Sequence, residues 1–284
     1  MALITVICNI LVMVTLFKLK YYKSSHHFLL IMLAITDTAS GLVSQPLISY
    51  EFYLRRMEDR TMLCIIGKFN LCIAYFLTGL SMSTLFLITF EMFKSLINPF
   101  HGRYKTSFYV KTLTGLWTFF ALYCALGIYA VPETYIHVFK TVSAILILLT
   151  FVTLCFLLGR ILREAGRMLN RENGPKSQLL TNAAKLTKSI LIAFGVCYSP
   201  NVLLNAYILI FGKSSFTVVY LIPAANVIVL SNALVNPFVY CFRLKAIRVK
   251  MFRILYGGFR GTEKRENTVT AHHSEFAVVN LSVI

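Results

Sequence analysis

The sequence predicts an all-α membrane protein, a bundle of seven transmembrane helices followed by a short amphipathic eighth helix. Hydrophobic residues make up 57% of the chain and charged residues only 14%, and the mean hydropathy is +0.72. This composition leaves too little polar surface for a water-soluble globule of this size. Apolar stretches of about 20 residues, the length that crosses a bilayer core of about 30 Å as a helix, recur along the chain. Basic residues are concentrated in alternate connections between these stretches.

The apolar stretches set the bounds of the predicted spans, and the third and fifth are long enough to extend past the membrane. The first stretch has no basic segment before it and no Ala-x-Ala cleavage site after it, so we expect an uncleaved anchor. The seven predicted spans are 2–18, 27–52, 62–96, 109–131, 137–167, 183–212 and 218–241.

The distribution of positive charge predicts the orientation of the spans. Of the 28 lysines and arginines, 22 fall in the alternate connections and the C-terminal segment that would share one side of the membrane. Cytosolic loops carry such an excess, so the N-terminus is expected outside and the C-terminus in the cytosol. The net charge of +17 therefore reflects topology and attraction to anionic lipid, and it does not indicate nucleic-acid binding.

The C-terminal part of the chain changes character twice. Apolar residues at helical spacing on a basic background predict an amphipathic helix over 242–255, lying on the inner membrane surface. Residues 1–255 thus form one membrane domain, and the polar stretch 256–284 is expected to be a disordered cytosolic tail. Its last residues, Ser282-Val283-Ile284, fit the Ser/Thr-x-apolar form that PDZ domains bind by strand addition, which makes a PDZ protein a candidate partner.

Polar and helix-breaking residues lie where lipid-facing helices would not need them. Asp37 lies in the middle of the second span and Glu91 near the cytosolic end of the third. Ionisable groups at such depth are costly and therefore indicate function. Asn9, Ser81, Asn232 and Asn236 add polar groups, and Pro46, Pro200 and Pro237 interrupt helices and free backbone carbonyls. Hydrogen bonding between neighbouring helices is the alternative explanation for each polar residue.

These residues form motifs in a fixed order. Asn236-Pro237-Phe238-Val239-Tyr240 ends the last span, and Phe194 with Cys197-Tyr198-Ser199-Pro200 occupies the sixth. Leu33-Ala34 with Asp37, Asn9 in the first span and Trp117 in the fourth complete the set. The chain resembles the rhodopsin-like G-protein-coupled receptors over nearly its whole length, through their NPxxY, FxxxCWxP (with Tyr for Trp) and LAxxD motifs. The resemblance implies a receptor that binds an extracellular ligand and signals through a cytosolic G protein.

The resemblance also implies a buried ion site and a set of switch residues. Asp37, Ser81, Asn232 and Asn236 match the cluster that holds a sodium ion in many members, and oxygen ligands suit such a hard cation. A water-bridged network without an ion is the alternative, and no other cofactor is expected. Phe194 and Tyr198 at the kink of Pro200, and Tyr240 at the kink of Pro237, would move on activation.

The chain departs from the family at the cytosolic end of the third span. Glu91-Met92-Phe93 stands where members have Asp-Arg-Tyr, so Met92 replaces the arginine that contacts the G protein. A thioether has no charge and no donor, so Glu91 loses its usual partner and coupling is weakened. Leu180 is apolar where some members carry an acid. A very short second outer loop, about 132–136, resembles the melanocortin, cannabinoid and adenosine receptors.

The family register also defines a ligand pocket. Ala74 occupies the position of the amine-binding aspartate, and Leu230 that of the retinal-binding lysine, which excludes a biogenic amine and retinal. The remaining wall is uncharged, and suits a neutral small molecule, a lipid or a peptide. The predicted pocket residues are Ala74, Tyr75, Thr78, Tyr198, Asn201, Asn205 and Asn226.

Three functions are compatible with these features. The first is a plasma-membrane receptor that couples to a transducer. The second, favoured by Met92, is a receptor-like protein that does not couple, such as a heterodimer partner, a scavenger or a degenerate paralogue. A transporter or channel is disfavoured because only Asp37 is charged at mid-depth. No cluster of His and Cys points to catalysis, so the chain is not expected to be an enzyme.

Overall fold

The computed structural model describes residues 1–19, 24–97, 106–129, 136–171, 175–212, 214, 217–243 and 245–257. These ranges are almost entirely helical. The first span is α1 (Ala2–Lys18), and the second comprises α2 (Ser25–Ala39), a π-helical segment (Ser40–Ser44) and α3 (Gln45–Arg56). Spans three to six are α4 (Arg60–Ile97), α5 (Thr106–Tyr129), α6 (Ile136–Arg171) and α7 (Pro175–Phe211). A π-helical segment (Thr217–Leu221) and α8 (Ile222–Arg243) form span seven, and α9 (Lys245–Gly257) follows.

The spans have the lengths that a bilayer requires. Within the described ranges, six helical stretches are long and apolar enough to cross a membrane, and α1 is a shorter apolar helix of 17 residues. That length lies at the lower end of the roughly 17–25 residues of transmembrane helices. Leu122, Phe156 and Leu203 expose more than half of their surface on spans four, five and six. The bundle surface at these places therefore faces lipid. The prediction of an all-α bundle of transmembrane helices is confirmed.

Two helices have bounds that differ from the predicted segments. The apolar stretch of span six is Ala184–Ile208, whose start lies one residue from the predicted 183, but its helix α7 already begins at Pro175, because nothing breaks the helix over 175–182 and Pro is favourable in a first helical turn. The amphipathic helix α9 begins at Lys245 rather than 242 and ends at Gly257 rather than 255. Phe242 and Arg243 instead end α8. The second outer loop and the residues beyond 257, including the predicted PDZ motif, lie outside the described residues.

The three predicted proline interruptions differ in effect. Pro46 is the second residue of α3, which begins directly after the π-helical segment with its wider turn. Pro200 and Pro237 lie inside helices that continue on both sides. The chain is helical across all three sites, and only near Pro46 does the type of helix change.

Glycines allow close approach of neighbouring helices. A Cβ added at Gly79 on α4 would lie 2.5 Å from ring atoms of Phe120 on α5, and one at Gly41 would lie 2.9 Å from Val6 of α1. Small residues are enriched at such membrane interfaces because they let helices pack closely. All seven spans contribute buried residues to the hydrophobic core of the bundle. These include Leu16, Leu30, Leu85, Leu154, Leu186 and Tyr240.

Candidate ligand cavity and switch residues

A cavity of about 420 Å³ lies among spans two, three, five, six and seven, in the half of the bundle opposite Met92. Its volume falls within the roughly 300–1,000 Å³ of small-molecule sites. Six of the seven predicted pocket residues line it: Ala74, Tyr75, Thr78, Tyr198, Asn201 and Asn226. The seventh, Asn205, lines an adjoining cavity of about 650 Å³, which reaches spans five and six.

Aromatic and amide contacts organise the inner wall of the ligand cavity. The Tyr198 hydroxyl lies 3.1 Å from the Thr78 hydroxyl, which joins span six to span three. The Tyr198 ring stacks on Phe194 with ring centroids 3.9 Å apart, one helical turn toward the cytosol. Asn201 Nδ2 donates to Asn226 Oδ1 at 3.3 Å, and Asn205 Nδ2 donates to Asn201 Oδ1 at 2.7 Å. A ligand that moves Tyr198 would therefore disturb both its partner on span three and the aromatic stack below it.

The prediction of an uncharged pocket wall was wrong. Glu51, Arg55 and Lys68 line the ligand cavity and are named here the charged wall. Glu51 Oε1 accepts a hydrogen bond from Arg55 Nη2 at 2.6 Å, and Glu51 Oε2 accepts one from Asn70 Nδ2 at 2.7 Å. The spacing of four residues between Glu51 and Arg55 could have indicated an ion pair within one helix. From the sequence alone, however, both residues mark the polar end of span two, and only the packing of α3 on α4 places them in the cavity wall.

The predicted ion-site residues converge on a smaller polar cavity. Asp37 is 1% exposed, and its Oδ2 accepts a hydrogen bond from Asn236 Nδ2 at 2.7 Å. Asp37, Ser81 and Asn232 line a cavity of about 30 Å³, roughly the volume of one water molecule. Asn236 contacts Asp37 but does not line this cavity.

Several polar groups of this region were not predicted. The π-helical segment of span two brings Ser40 and Ser44 to the wall of the small cavity, and the Thr36 hydroxyl lies 3.2 Å from that of Ser81. Asn9 is not part of the cavity. Its Nδ2 donates to the carbonyls of Thr5 and Ala233, both at 2.9 Å, and so ties span one to span seven.

The small cavity contains oxygens that lack partners in the described structure. Asn232 Oδ1 and Ser44 Oγ are buried and have no hydrogen-bond partner among the described residues. The same is true of Asn236 Oδ1. Among the described residues, no group of three or more His, Cys, Asp and Glu side chains is arranged to hold a metal ion. One carboxylate with amide and hydroxyl oxygens instead suits a hard monovalent cation, so the residues present fit sodium.

The cytosolic end of span three has partners that the sequence did not suggest. Glu91 is 4% exposed, and its Oε2 lies 3.2 Å from His26 Nδ1 at the start of α2. Glu91 has lost the arginine of the family motif, as predicted from Met92, and its partner here is a histidine of span two. His26 lies 65 positions before Glu91 in the sequence, and no local sequence pattern indicates that the two residues pair.

Met92 closes the same end of the bundle through apolar packing. It is 4% exposed and forms a cluster with Ile161, Ala165 and Ala184, named here the cytosolic apolar cluster, against which Phe93 packs. The Thr187 hydroxyl on span six donates to Met92 Sδ at 2.7 Å. Spans three, five and six are thus held together where an arginine-based pair would otherwise lie. The side chain of Leu180 is outside the described residues.

The NPxxY tyrosine lies in the core rather than at the surface. Tyr240 is fully buried in the core near the end of span seven, and its hydroxyl has no hydrogen-bond partner among the residues described. Pro237, one turn earlier, lies inside α8. A buried hydroxyl without a hydrogen-bond partner costs about 1–3 kcal/mol.

Comparison with protein-family models matches residues 8–240 to the seven-transmembrane receptors of the rhodopsin family. The chain belongs to this family. The receptor is also similar to the muscarinic acetylcholine receptor gar-3 of Caenorhabditis elegans, with 32% identity over 103 residues. This alignment covers 36% of the receptor and 16% of the length of that relative.

Family membership establishes the general class of the receptor. It is a multi-pass membrane protein of a family of receptors, which are in general not enzymes, and whose members act through extracellular ligands and G proteins. The matched range includes Ala74 and Met92, two of the positions where this receptor departs from residues that other members use.

Proposed function

We propose that this receptor binds an extracellular ligand in the 420 Å³ cavity and transmits the binding to the cytosolic face. One observation carries the proposal: the ligand cavity and the small polar cavity share walls. Ser44, Ala74, Thr78 and Tyr198 line both. A ligand that displaces any of these side chains therefore changes the space next to Asp37, and through the stack of Tyr198 on Phe194 it changes the packing of span six.

The proposed ligand is neither a biogenic amine nor retinal. Ala74 offers no carboxylate for an ammonium group, and both carboxylate oxygens of Glu51 already accept hydrogen bonds from Arg55 and Asn70. Leu230 offers no amine for a Schiff base. The acetylcholine in the name of the nematode relative is therefore not carried over to this receptor. A neutral small molecule, a lipid and a peptide are the classes that the wall residues predicted from the sequence would suit.

The proposed resident ion is sodium, held by Asp37 together with Ser81 and Asn232, with Asn236 positioning the carboxylate. When bound, the cation would balance the charge of Asp37 and satisfy buried amide oxygens that have no other partner. Because these residues belong to spans two, three and seven, the ion would favour the closed arrangement of those spans. A water-bridged network remains the alternative that the sodium experiment below distinguishes.

The proposed location is the plasma membrane, with the N-terminus outside and the C-terminus in the cytosol. The excess of basic residues on one side supports this orientation. The amphipathic helix α9, with Lys245, Arg248, Lys250 and Arg253, is expected to lie on the anionic inner leaflet. The charged wall then faces the extracellular side.

A second candidate function is a receptor that binds its ligand without coupling to a G protein. Met92 favours it, because the position that members use to contact the transducer is buried in the cytosolic apolar cluster and carries no charge. Such a protein would act as a heterodimer partner or a scavenger. The two functions share the ligand cavity and differ only at the cytosolic face.

The test is a panel of G-protein dissociation sensors in cells that display the receptor, exposed to extracellular candidate ligands. The variant Ala74→Trp fills the centre of the ligand cavity, and Ala121→Trp, on the exposed side of α5, is its matched control. Coupling predicts a response in the native receptor and in Ala121→Trp that Ala74→Trp abolishes. A ligand that stabilises the purified receptor against heat but dissociates no G protein would favour the non-coupling alternative.

A further inference from the structure

Three asparagines form a hydrogen-bonded chain of amides between spans six and seven, named here the amide chain. Asn205 Nδ2 donates to the backbone carbonyl of Asn201 at 2.8 Å and to Asn201 Oδ1 at 2.7 Å. Asn201 Nδ2 in turn donates to Asn226 Oδ1 at 3.3 Å. Asn201 and Asn226 line the ligand cavity, whereas Asn205 lines the adjoining 650 Å³ cavity.

The backbone fixes the direction of the amide chain. A peptide carbonyl can only accept a hydrogen bond, so the Asn205 atom beside it must be the nitrogen. The Asn201 atom that this nitrogen also contacts must then be the oxygen, which leaves the Asn201 nitrogen to donate toward span seven. Asn226 meets that nitrogen with its oxygen and keeps its own Nδ2 for other partners. The amide chain therefore ends in a donor, at a residue that lines the ligand cavity.

This terminal donor has no partner within the described part of the chain. Asn226 is partly buried, and its Nδ2 makes no hydrogen bond with the described residues. Ser44 Oγ and Asn70 Oδ1 of the same cavity wall also lack a partner, but both atoms are buried away from a ligand. Unpaired N–H groups are rarer in proteins than carbonyl oxygens with a spare lone pair. An acceptor on a ligand would satisfy Asn226 Nδ2.

Other polar groups of the wall also offer donors. The hydroxyls of Thr78 and Tyr198 lie 3.1 Å apart, so one donates to the other and the second O–H is left without a partner among the described residues. The Arg55 guanidinium has N–H groups beyond the one given to Glu51, and it has no acceptor. Both Glu51 oxygens already accept hydrogen bonds, from Arg55 and Asn70. A ligand thus meets donors, while the amide and carboxylate oxygens of the wall are engaged or enclosed.

The charges around the cavity favour a neutral acceptor over an anion. At the outer end of span two, Glu51 Oε1 and Arg55 Nη2 lie 2.6 Å apart and compensate each other. Among the described residues that line the adjoining cavity, which the amide chain also borders, none is charged. An anion at Asn226 would lose its hydration without gaining a counter-charge, whereas a neutral carbonyl loses much less.

We propose that the ligand is a neutral molecule recognised through a carbonyl group, which accepts a hydrogen bond from Asn226 Nδ2. This inference rests on the proposed function in assuming that the 420 Å³ cavity is the ligand site. Ketones, esters and tertiary amides share the required chemistry, because each offers a carbonyl oxygen and no N–H or O–H group. An ammonium compound offers donors alone and leaves the N–H groups of Asn226 without a partner.

The ligand chemistry is tested by probe-dependent thermal unfolding of the purified full-length receptor in nanodiscs. The four probes share two phenyl rings: benzophenone has a carbonyl, diphenylmethane no polar group, benzhydrylamine an ammonium and diphenylacetate a carboxylate. Benzophenone should bind about 3- to 10-fold more tightly than diphenylmethane, because one neutral hydrogen bond is gained. It should also bind more tightly than both charged probes. Equal binding of diphenylmethane, preference for a charged probe, or no stabilisation by benzophenone overturns the proposal.

Two variants assign the carbonyl preference to the amide chain. Asn226→Leu removes the donor and should make benzophenone and diphenylmethane bind equally. The matched control Thr114→Val, on the exposed side of α5, also replaces a polar residue by an apolar one and should keep the preference. A preference that survives in Asn226→Leu, or is lost equally in Thr114→Val, contradicts the assignment.

Asn205→Asp tests the direction of the amide chain from outside the ligand cavity. At about pH 8, well above the ordinary pKa of an aspartate, the new carboxylate can only accept, so it takes the N–H of Asn201. Asn201 then turns its oxygen to span seven, and Asn226 turns its oxygen to the cavity. The carbonyl preference should therefore be lost, and its retention overturns the proposed direction. This variant also provides the readout if Asn226→Leu does not fold.

Ala74→Trp, which fills the ligand cavity, separates this inference from the proposed function. A probe whose stabilisation is lost in Ala74→Trp binds in the cavity, which supports the ligand site whatever the chemistry of the probe. Benzophenone binding that persists in Ala74→Trp overturns the site, and with it this inference. A charged probe that binds best, and whose binding is lost in Ala74→Trp, overturns the carbonyl preference alone.

Discussion

Met92→Arg distinguishes a coupling receptor from a non-coupling one, and its effect follows from the cytosolic apolar cluster. In the native chain Met92 packs on Ile161, Ala165 and Ala184 and accepts a hydrogen bond from Thr187. An arginine cannot bury its guanidinium among these side chains. It must extend toward the cytosol, which separates span three from spans five and six.

The magnitude follows from the burial that is lost. Full burial of a methionine side chain contributes about 1.5–3 kcal/mol. Losing it from the closed state alone shifts the closed-to-open ratio by roughly one to two decades. The new guanidinium also adds charged hydrogen bonds to a transducer, at about 1.5–3 kcal/mol each. Both effects act in the same direction, so Met92→Arg should raise G-protein dissociation.

The assay compares variants at equal surface density with the dissociation sensors, without added ligand. Met92→Leu is the matched control, because it keeps the apolar volume at a cost below about 1.5 kcal/mol and adds no charge. Thr187→Val removes the hydroxyl that donates to Met92 and separates the hydrogen bond from the packing. We expect dissociation above the native level in Met92→Arg and near the native level in Met92→Leu.

One result would refute this reasoning. If the native receptor dissociates G protein as strongly as Met92→Arg, then the closed cytosolic face and the missing arginine do not limit coupling. The receptor would have another contact for its transducer, and the non-coupling alternative would lose its main support.

Three further predictions concern the ion, the packing and the topology. Sodium should raise the unfolding temperature of the purified receptor over equal potassium, by an equivalent of about 1.4–2.7 kcal/mol at 10–100 times the dissociation constant, and Asp37→Asn should remove this difference; a sodium response that persists in the variant contradicts the ion site. Gly79→Ala should lower thermal stability by about 1–3 kcal/mol relative to Gly115→Ala, whose added Cβ meets nothing within 4 Å, and equal stabilities would show that the bundle relaxes at Gly79. A tag after Ile284 should bind antibody only in permeabilised cells and a tag at Lys213-Ser214 in intact cells, the reverse labelling being incompatible with the charge-based orientation.

Local sequence properties were sufficient to predict that the chain folds as a bundle of transmembrane helices. A bilayer requires about 20 consecutive apolar residues and internal pairing of backbone groups, and both requirements can be recognised one segment at a time. The family motifs then identified several of the residues that line the two cavities, since motif positions such as Asp37 and Tyr198 are defined by their own span. The extension of helix α7 back to Pro175 was not predicted, because a helix that continues beyond its apolar stretch need not be apolar.

Contacts between distant segments required the tertiary structure. His26 pairs with Glu91, Asn70 donates to Glu51, and Ser44 of the π-helical segment lines the same small cavity as Asp37. None of these follows from hydrophobic periodicity, because periodicity reports which face of a helix is buried and not which side chain on another helix it meets. The sequence by itself thus determined the number of spans, their approximate lengths and the family to which the protein belongs. The tertiary structure decided the charge of the ligand cavity and how the cytosolic face is closed, because those depend on the relative rotation and depth of packed helices.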